Sequence, residues 1–360
     1  MKVFGNFKKR SLAYLLCISM LLLAGCSTSS SSTTNENPSE SALKQQTNEN
    51  ANYPTKTITG IIPWGAGGAT DTLSRTIAPL AEKELGQSIV LTNKTGATGA
   101  IGTQYVFDKE ADGYNILFNA ENPTIYGVLG ISKLTYDDFY PINIMARVLP
   151  TIVVSADSKY QTLEDVIKDA QENPGKVKYG SAGPGSQPET VGTMLSTVTG
   201  TKYNMVPFDG EGPILTALLG GHVDVSVAGF TAAYENAKAG KVRILAVIND
   251  ERVEQLKDVP AISEILPDMA KYMPWGPFYG VWVKKDTPDD VKKKLIDAFA
   301  VAWKDPKFQD QLKQRGAVPL GLSGEEAIKY WKDWQSTTAW LLHEAGAAKV
   351  SPEELGIPKK

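Results

Sequence analysis

Short runs of β-branched and aromatic residues alternate with helically spaced apolar segments from Thr57 almost to the end of the chain. "TITGII" (57–62) reads as a buried strand, and Leu73, Ile77, Leu80 and Ala81 follow at helical spacing. Pro79 falls inside that helix and is expected to kink it or end a turn. "SIVLTN" and "YNILFN" are further strands, and "VKYG", "VDVSVA" and "VRILAV" repeat the theme later. Helical stretches at 188–199, 212–220 and 231–238 separate them. Such alternation predicts an α/β protein with largely parallel sheets.

Two segments read as crossings between lobes. "PTIVVSADS" (150–158) precedes a helix opened by Thr162, Leu163, Glu164 and Asp165, the pattern of a capping box. "GPFYGVWVKKDTP" (276–288) precedes a helix with Thr287 expected at the N-cap and Pro288 at the first helical position. With both as crossover strands, the first lobe is discontinuous (54–152 plus 279–360) and the second is an insert, 153–278. A cleft with two hinge strands suits closure on a small ligand. The tail 323–343 reads as a helix whose Ile328, Tyr330, Trp331 and Trp334 face the core. No repeat of solenoid length is evident.

The N-terminus carries Lys2, Lys8, Lys9 and Arg10, then an apolar run (12–23), then "LAGC". A basic region, a short apolar core and small residues describe a secretory signal over 1–25, and the run is short for a membrane span. Leu23, Ala24, Gly25 and Cys26 resemble the bacterial lipobox, which implies cleavage before Cys26 and a lipid on its sulfur. The expected location is extracytoplasmic, anchored to the cell membrane. Removing 1–25 takes four of the 37 basic residues and none of the 40 acidic ones, leaving a formal charge of −7. No basic stripe remains for a nucleic acid. Cys17 goes too, so no internal disulfide can form. Residues 26–53 are Ser-, Thr- and Asn-rich and read as a disordered tether, with too little apolar surface to offset ordering entropy.

The chemistry concentrates in glycine loops. In "PWGAGGATD" (63–71) a strand ends, small residues follow, and a helix begins with Thr70 as the expected N-cap. Unpaired amides and the positive end of the helix dipole form an anion site without Lys or Arg. Asp71 is expected to complement the dipole and orient the loop. "YGSAGPGSQPET" (179–190) has the same design, with Ser181, Ser186 and Gln187 as side-chain donors. The two loops are expected to face each other across one cleft. "NKTGATGAIGT" (93–103) is assigned to close packing or the cleft wall ahead of ligand contact.

"IIPWGAGGATDTLSRTIAPLAEKELGQSIVLTNKTGATGAIGTQYVFDKEADGYNILF" resembles the first half of the tripartite tricarboxylate transporter receptors, the TctC or Bug family. That family carries a P-[FW]-x-x-G-G-x-x-D loop, a later GA-x-G-x-x-G and a DGY strand. "VPFDGEGPILTALLGGHVDVSVAG" and "AGKVRILAV" continue the match in order. The resemblance implies a type-II periplasmic-binding-protein fold, two α/β lobes joined by two crossover strands around a ligand cleft. It implies a receptor that hands a small organic acid or acidic amino acid to membrane permease subunits, with no cofactor, acting as a monomer. Carried over by position, Trp64, Gly67, Gly68, Ala69, Thr70 and Asp71 form one wall. Ser181, Ala182, Gly183, Gly185, Ser186 and Gln187 form the other, with Asn119, Asn122, Phe208, Gly229 and Phe230 as further candidates. Where the family often reads V-P-Y-K-G, this chain has Phe208, Asp209, Gly210 and Glu211. Either these acids border the cleft and disfavour polyanions such as citrate, or they are solvated surface carboxylates.

Enzymatic readings find little support. Only His222 and His343 are present, "HEAGA" lacks the second histidine of HExxH, and no GxSxG occurs. Neither glycine loop completes a dinucleotide fingerprint or a Walker A motif. Two histidines and one lipidated cysteine make a poor zinc set. A surface enzyme acting on a small organic acid and a purely structural lipoprotein are the rival readings.

Overall fold

The computed structural model describes residues 52–208 and 211–360, so the expected signal, Cys26, the tether up to 51, Asp209 and Gly210 lie outside the described residues. Tyr53, read as the end of the tether, is instead buried, and its hydroxyl donates to the Gly113 carbonyl at 2.7 Å. The strands are β1 (Ile58–Ile62), β2 (Ile89–Asn93), β3 (Asn115–Ala120), β4 (Phe139–Val148), β5 (Pro150–Ser155), β6 (Lys178–Ser181), β7 (Asn204–Pro207), β8 (Val225–Gly229), β9 (Val242–Val247), β10 (Phe278–Lys284) and β11 (Ala317–Leu322). The longer helices are α1 (Ala69–Leu85), α2 (Ala100–Phe107), α3 (Leu163–Glu172), α4 (Gln187–Thr199), α5 (Glu211–Leu219), α6 (Phe230–Lys238), α7 (Asp289–Lys304), α8 (Pro306–Gln314) and α9 (Gly324–Glu344).

Two sheets organise them. One has the order β11-β4-β10-β3-β1-β2, the other β7-β6-β8-β5-β9. Both are mixed, which corrects the expectation of largely parallel sheets. β1 runs parallel to β2 and β3, and β6 to β7 and β8, as βαβ units require. β10 pairs antiparallel with β3 and β4, and β5 pairs antiparallel with β8 and β9. The reason is connectivity: β5 and β10 each enter a sheet from the other one, so no local crossover helix sets their direction. The chain leaves the six-stranded sheet at Leu149, between β4 and β5, and returns through 248–277.

Several helix ends differ from expectation by a residue. α1 begins at Ala69 with Gly68 at the N-cap, not Thr70, and α7 has Pro288 at the N-cap in place of Thr287. The capping box of α3 forms as read: the Asp165 amide donates to Thr162 Oγ1 at 3.2 Å, and the Thr162 amide to Asp165 Oδ2 at 3.0 Å. Pro79 does not end α1. It is exposed, while Ile77, Ala78, Leu80 and Ala81 around it are buried and hold both halves of the helix in place.

One apolar core covers the faces of both sheets. It takes Leu117, Ile144, Phe278 and Trp282 from the six-stranded sheet, Ile152, Tyr179 and Val227 from the five-stranded one, and Trp331 and Trp334 from α9. A second core lies on the other face of the six-stranded sheet, where Ile58, Ile62 and Phe118 meet Leu73 and Ile77 of α1 and Phe299 of α7. Alternation along β1 explains the division, since Ile61 points to the first core and Ile58 and Ile62 to the second.

α9 ties these parts together. Trp334 stacks on Trp275 at 5.9 Å and donates from Nε1 to the Gly276 carbonyl at 3.0 Å. Trp275 Nε1 donates to Thr338 Oγ1 at 2.9 Å, and Gln335 Nε2 donates to the Thr124 carbonyl at 2.8 Å. The same helix packs on β4 and on α4. The start of α6 adds a second link, with Phe230 packed against Gly316. A Cβ at Gly316 would lie 2.2 Å from the Phe230 ring, and its φ of +57° already favours glycine.

Candidate functional site

Where β1 and β6 end, the chain turns through the two glycine loops, and both border one cleft of about 840 Å³. Its wall on the β1 side is Trp64, Gly65, Ala66, Gly67, Gly68, Ala69 and Thr70, with Thr98, Glu121 and Asn122. The opposite wall includes Ala182, Pro184, Ser186, Gln187, Phe208 and Glu211, and Tyr279 also lines the space. No Lys, Arg or His lines it among the described residues.

The first loop is braced from behind. Asp71 is buried, and its carboxylate accepts from the Gly67 amide at 2.9 Å, Asn93 Nδ2 at 2.8 Å and Arg75 Nε at 2.9 Å. Asn93 Nδ2 also donates to the Trp64 carbonyl at 2.9 Å. Asp71 therefore shapes the loop and is absent from the cleft lining. It also occupies the Gly67 amide, so the donors left for a ligand on this wall include the first-turn amides of Ala69 and Thr70, the Thr70 hydroxyl and the Gly65 and Ala66 amides of the loop.

Asn119 stands one layer back as well. It is fully buried and accepts from Trp64 Nε1 at 2.7 Å, while its Nδ2 donates to Thr103 Oγ1 at 3.1 Å. This chain orients the Trp64 indole and connects it to the third glycine-rich stretch. That stretch is packing, as expected: a Cβ on Gly102 would meet the Lys94 carbonyl at 2.6 Å and Pro63 at 2.7 Å. Only Thr98 from it reaches the cleft.

The second loop is less open than its sequence suggests. Ser181 is buried; its hydroxyl accepts from the Gly183 amide at 3.0 Å and bonds the Glu189 carboxylate. Ser186 is the N-cap of α4 and accepts from the Glu189 amide at 3.4 Å. Pro188, second in the helix, has no N–H. The first turn of α4 thus presents mainly the Gln187 amide. The side-chain nitrogen of Gln187 adds to it, being buried without a partner among the described residues. Ser181, Gly183 and Gly185 do not line the cleft, and Gly185 packs toward Leu129.

Of the remaining candidates, Asn122 and Phe208 line the cleft, and Gly229 and Phe230 do not. The Gly229 amide donates to Glu211 Oε1 at 2.7 Å, and Phe230 turns away to stack on Tyr234 at 5.6 Å. Glu211 borders the cleft and is at the same time exposed to solvent, so it combines both alternatives posed by the sequence. Desolvation raises its pKa, and the Gly229 hydrogen bond works against that. Sequence reasoning missed Glu121, Tyr279, Leu215 and Ala232, all cleft residues. Glu121 sits one position before Asn122, but nothing in its neighbours distinguishes a buried glutamate from a surface one. Among the described residues no group of His, Cys, Asp or Glu is arranged to hold a metal.

Two mixed sheets around a cleft whose donors are backbone amides define a solute-binding protein. A family model described as the tripartite tricarboxylate transporter family receptor, TctC, matches residues 73–346, and the chain belongs to that family. A UPF0065 protein of Agrobacterium vitis is 31% identical over 270 residues, 74% of this chain and 77% of that protein. The solved periplasmic binding protein BugD is similar with a TM-score of 0.72 at 30% identity, covering 82% of this chain and 99% of BugD. An R. palustris protein solved with adipate has a TM-score of 0.73 at 27% identity, with 82% and 99% covered. The chain is thus an extracytoplasmic solute-binding receptor of the type-II periplasmic-binding-protein fold, not an enzyme.

The Asp71 brace has a pH signature. Burial alone would raise its pKa, but the Gly67 and Asn93 hydrogen bonds and the Arg75 charge and hydrogen bond outweigh this and hold it below the ordinary value. A carboxylate whose pKa is lowered on folding stabilises the fold above its unfolded value of about 4, and the contribution is lost as pH falls through the folded value. Asp71→Ala should cost about 2–3 kcal/mol at pH 7, the scale of hydrogen bonds to a charged group. Urea unfolding of both proteins across acid and neutral pH checks it. The gap should narrow below pH of about 4, and a gap independent of pH would refute the assignment.

Proposed function

We propose that the cleft captures a small organic acid by its carboxylate and that the receptor passes it to permease subunits of a tripartite tricarboxylate transporter. The observation that carries this is a donor-rich cleft wall without a cationic side chain. The Ala69 and Thr70 amides, the Thr70 hydroxyl and the Gln187 amides are among the groups left to hold the anion. The adipate held by the R. palustris relative is a ligand of the same class. Trp64, Gly67, Gly68 and Asn122 shape the pocket, and Ala182 and Ser186 face them.

Gly68 offers a direct test. Its φ is −70°, and a Cβ there would find only the Gly65 carbonyl at 3.4 Å, so the backbone accepts a side chain. Gly68→Val should fold normally yet obstruct approach to the Ala69 and Thr70 amides. Thr70→Val should weaken carboxylate binding about tenfold to a hundredfold, the range for one hydrogen bond to a charged group. Neutral donors in a closed cleft are poorly screened, so affinity should change little with salt. Calorimetry at low and high salt measures both. Near-native affinity in both folded variants would move the site elsewhere.

The two lobes are proposed to close on the ligand as a monomer. Their boundaries move from 152/153 and 278/279 to Leu149 and Pro277, because residues 150–152 pair within the five-stranded sheet and Phe278 within the six-stranded one. Leu149 and the 248–277 passage connect the two sheets, and the contact of α9 with α4 must adjust as they move. X-ray scattering should show a monomer whose radius of gyration falls at ligand saturation; an unchanged distance distribution argues against closure.

Cys26 is proposed to carry a lipid that anchors the receptor, with the segment from 26 to 51, ahead of the buried Tyr53, as a tether. Its support is the lipobox-like "LAGC". Cys26→Ser should move the protein from the membrane fraction to the soluble one without changing ligand affinity. Retention of that variant on washed membranes would defeat the anchor.

A further inference from the structure

The cleft carries two carboxylates and no cation among the described residues, and the two reach it from different parts of the fold. Glu121 follows β3, and Glu211 opens α5. Both act electrostatically on the phenol of Tyr279, which also lines the cleft, so the three side chains share one region of it. Arg315 acts on the same phenol from outside the cleft lining and offsets part of their negative charge. Glu121 is the unusual member. Only 6% of it is exposed, and its Oε2 has no hydrogen-bond partner among the described residues. Native proteins rarely leave a buried carboxylate oxygen unpaired, because an acceptor removed from water without a donor is destabilising. No Lys or Arg of the cleft wall is present to supply that donor.

We infer that Glu121, Glu211 and Tyr279 form a subsite for a protonated amine, and that the ligand class is a small aminocarboxylate, anionic at one end and cationic at the other. This rests on the receptor reading above, with the ligand carboxylate on the Ala69 and Thr70 amides. An ammonium group brings three donors and a positive charge. It satisfies the open Oε2 of Glu121 and draws on Glu211, whose Oε1 already takes the Gly229 amide. A second ligand carboxylate in the same place brings only acceptor oxygens, adds no donor of its own, and is repelled by whichever of the two carboxyl groups is ionised. Burial pushes Glu121 up to about 7, against the pull of the Glu121 and Phe278 amides, so this carboxyl is poised to ionise when a cation arrives. The neighbouring Tyr126, Tyr136 and Tyr330 also feel its charge; burial raises their pKa values, so they stay neutral phenols and supply no counter-ion.

The test uses matched series: straight-chain monocarboxylates, dicarboxylates and aminocarboxylates of equal length, the last with the amine at the α or the terminal carbon. Calorimetry with the full folded receptor should find at least one aminocarboxylate bound about tenfold or more tighter than its length-matched monoacid and diacid. Glu121→Gln and Glu211→Gln should each shrink that preference about tenfold, since each removes one charge while keeping shape. Tighter binding of diacids, or a preference that survives both substitutions, overturns the subsite. Suppose Thr70→Val and Gly68→Val still weaken binding of the preferred acid in that case. Then the receptor reading stands and only the amine subsite falls. No binding in any series removes both.

Discussion

The carboxylate of Asp71 accepts from the Gly67 amide, from Asn93 at the end of β2 and from Arg75 one turn along α1, all within 2.9 Å. Three elements therefore meet on one buried charge. Asn93 extends the network to the Trp64 carbonyl, and the Trp64 indole is fixed in turn by Asn119. The loop between β1 and α1 has too few side chains to hold itself in shape. Its order comes from these bonds, and the direction of the Ala69 and Thr70 amides comes from that order. A site made of backbone donors is only as well placed as the turn that carries it.

The second wall is built by the same rule with a different outcome. Ser181 and Ser186 spend their hydroxyls on the loop and on the first turn of α4, and Pro188 removes one donor from that turn. Rigidity is gained and ligand donors are lost. The two walls are consequently unequal: the β1 side is rich in free amides, and the α4 side contributes Gln187, Phe208 and Glu211. An unequal pair suits a ligand with chemically different ends.

The aromatic joint around α9 packs elements of both sheets together. Trp275, Phe278, Trp331 and Trp334 form one buried cluster that includes residues returning from the five-stranded sheet. Phe230 against Gly316 adds a second point of contact. Close-packed apolar joints shift between discrete arrangements more readily than they deform continuously. The closure proposed for the cleft would therefore pivot near these contacts.

The alternation of β-branched runs with helical periodicity was enough to determine eight of the eleven strands, most of the helices and the α/β class, while β4, β7 and β11 were not read from it. Those features depend on side-chain spacing within a few residues, and spacing is written in the chain. The glycine loops were legible for the same reason, as was the capping box at Thr162. Strand direction was not, because β5 and β10 pair with partners far away in sequence. The division of labour inside the site was also hidden. Asn119 and Ser181 have the chemistry of ligand contacts, yet the fold turns each of them inward to hold an indole or a loop, whereas the loop-orienting part of Asp71 was already readable from its place in the first turn. Glu121 has the chemistry of a surface residue, and the fold buries it at the cleft with an open oxygen. A residue's type sets what it can bond to; only tertiary packing decides which of those bonds the protein itself consumes and which remain for a ligand.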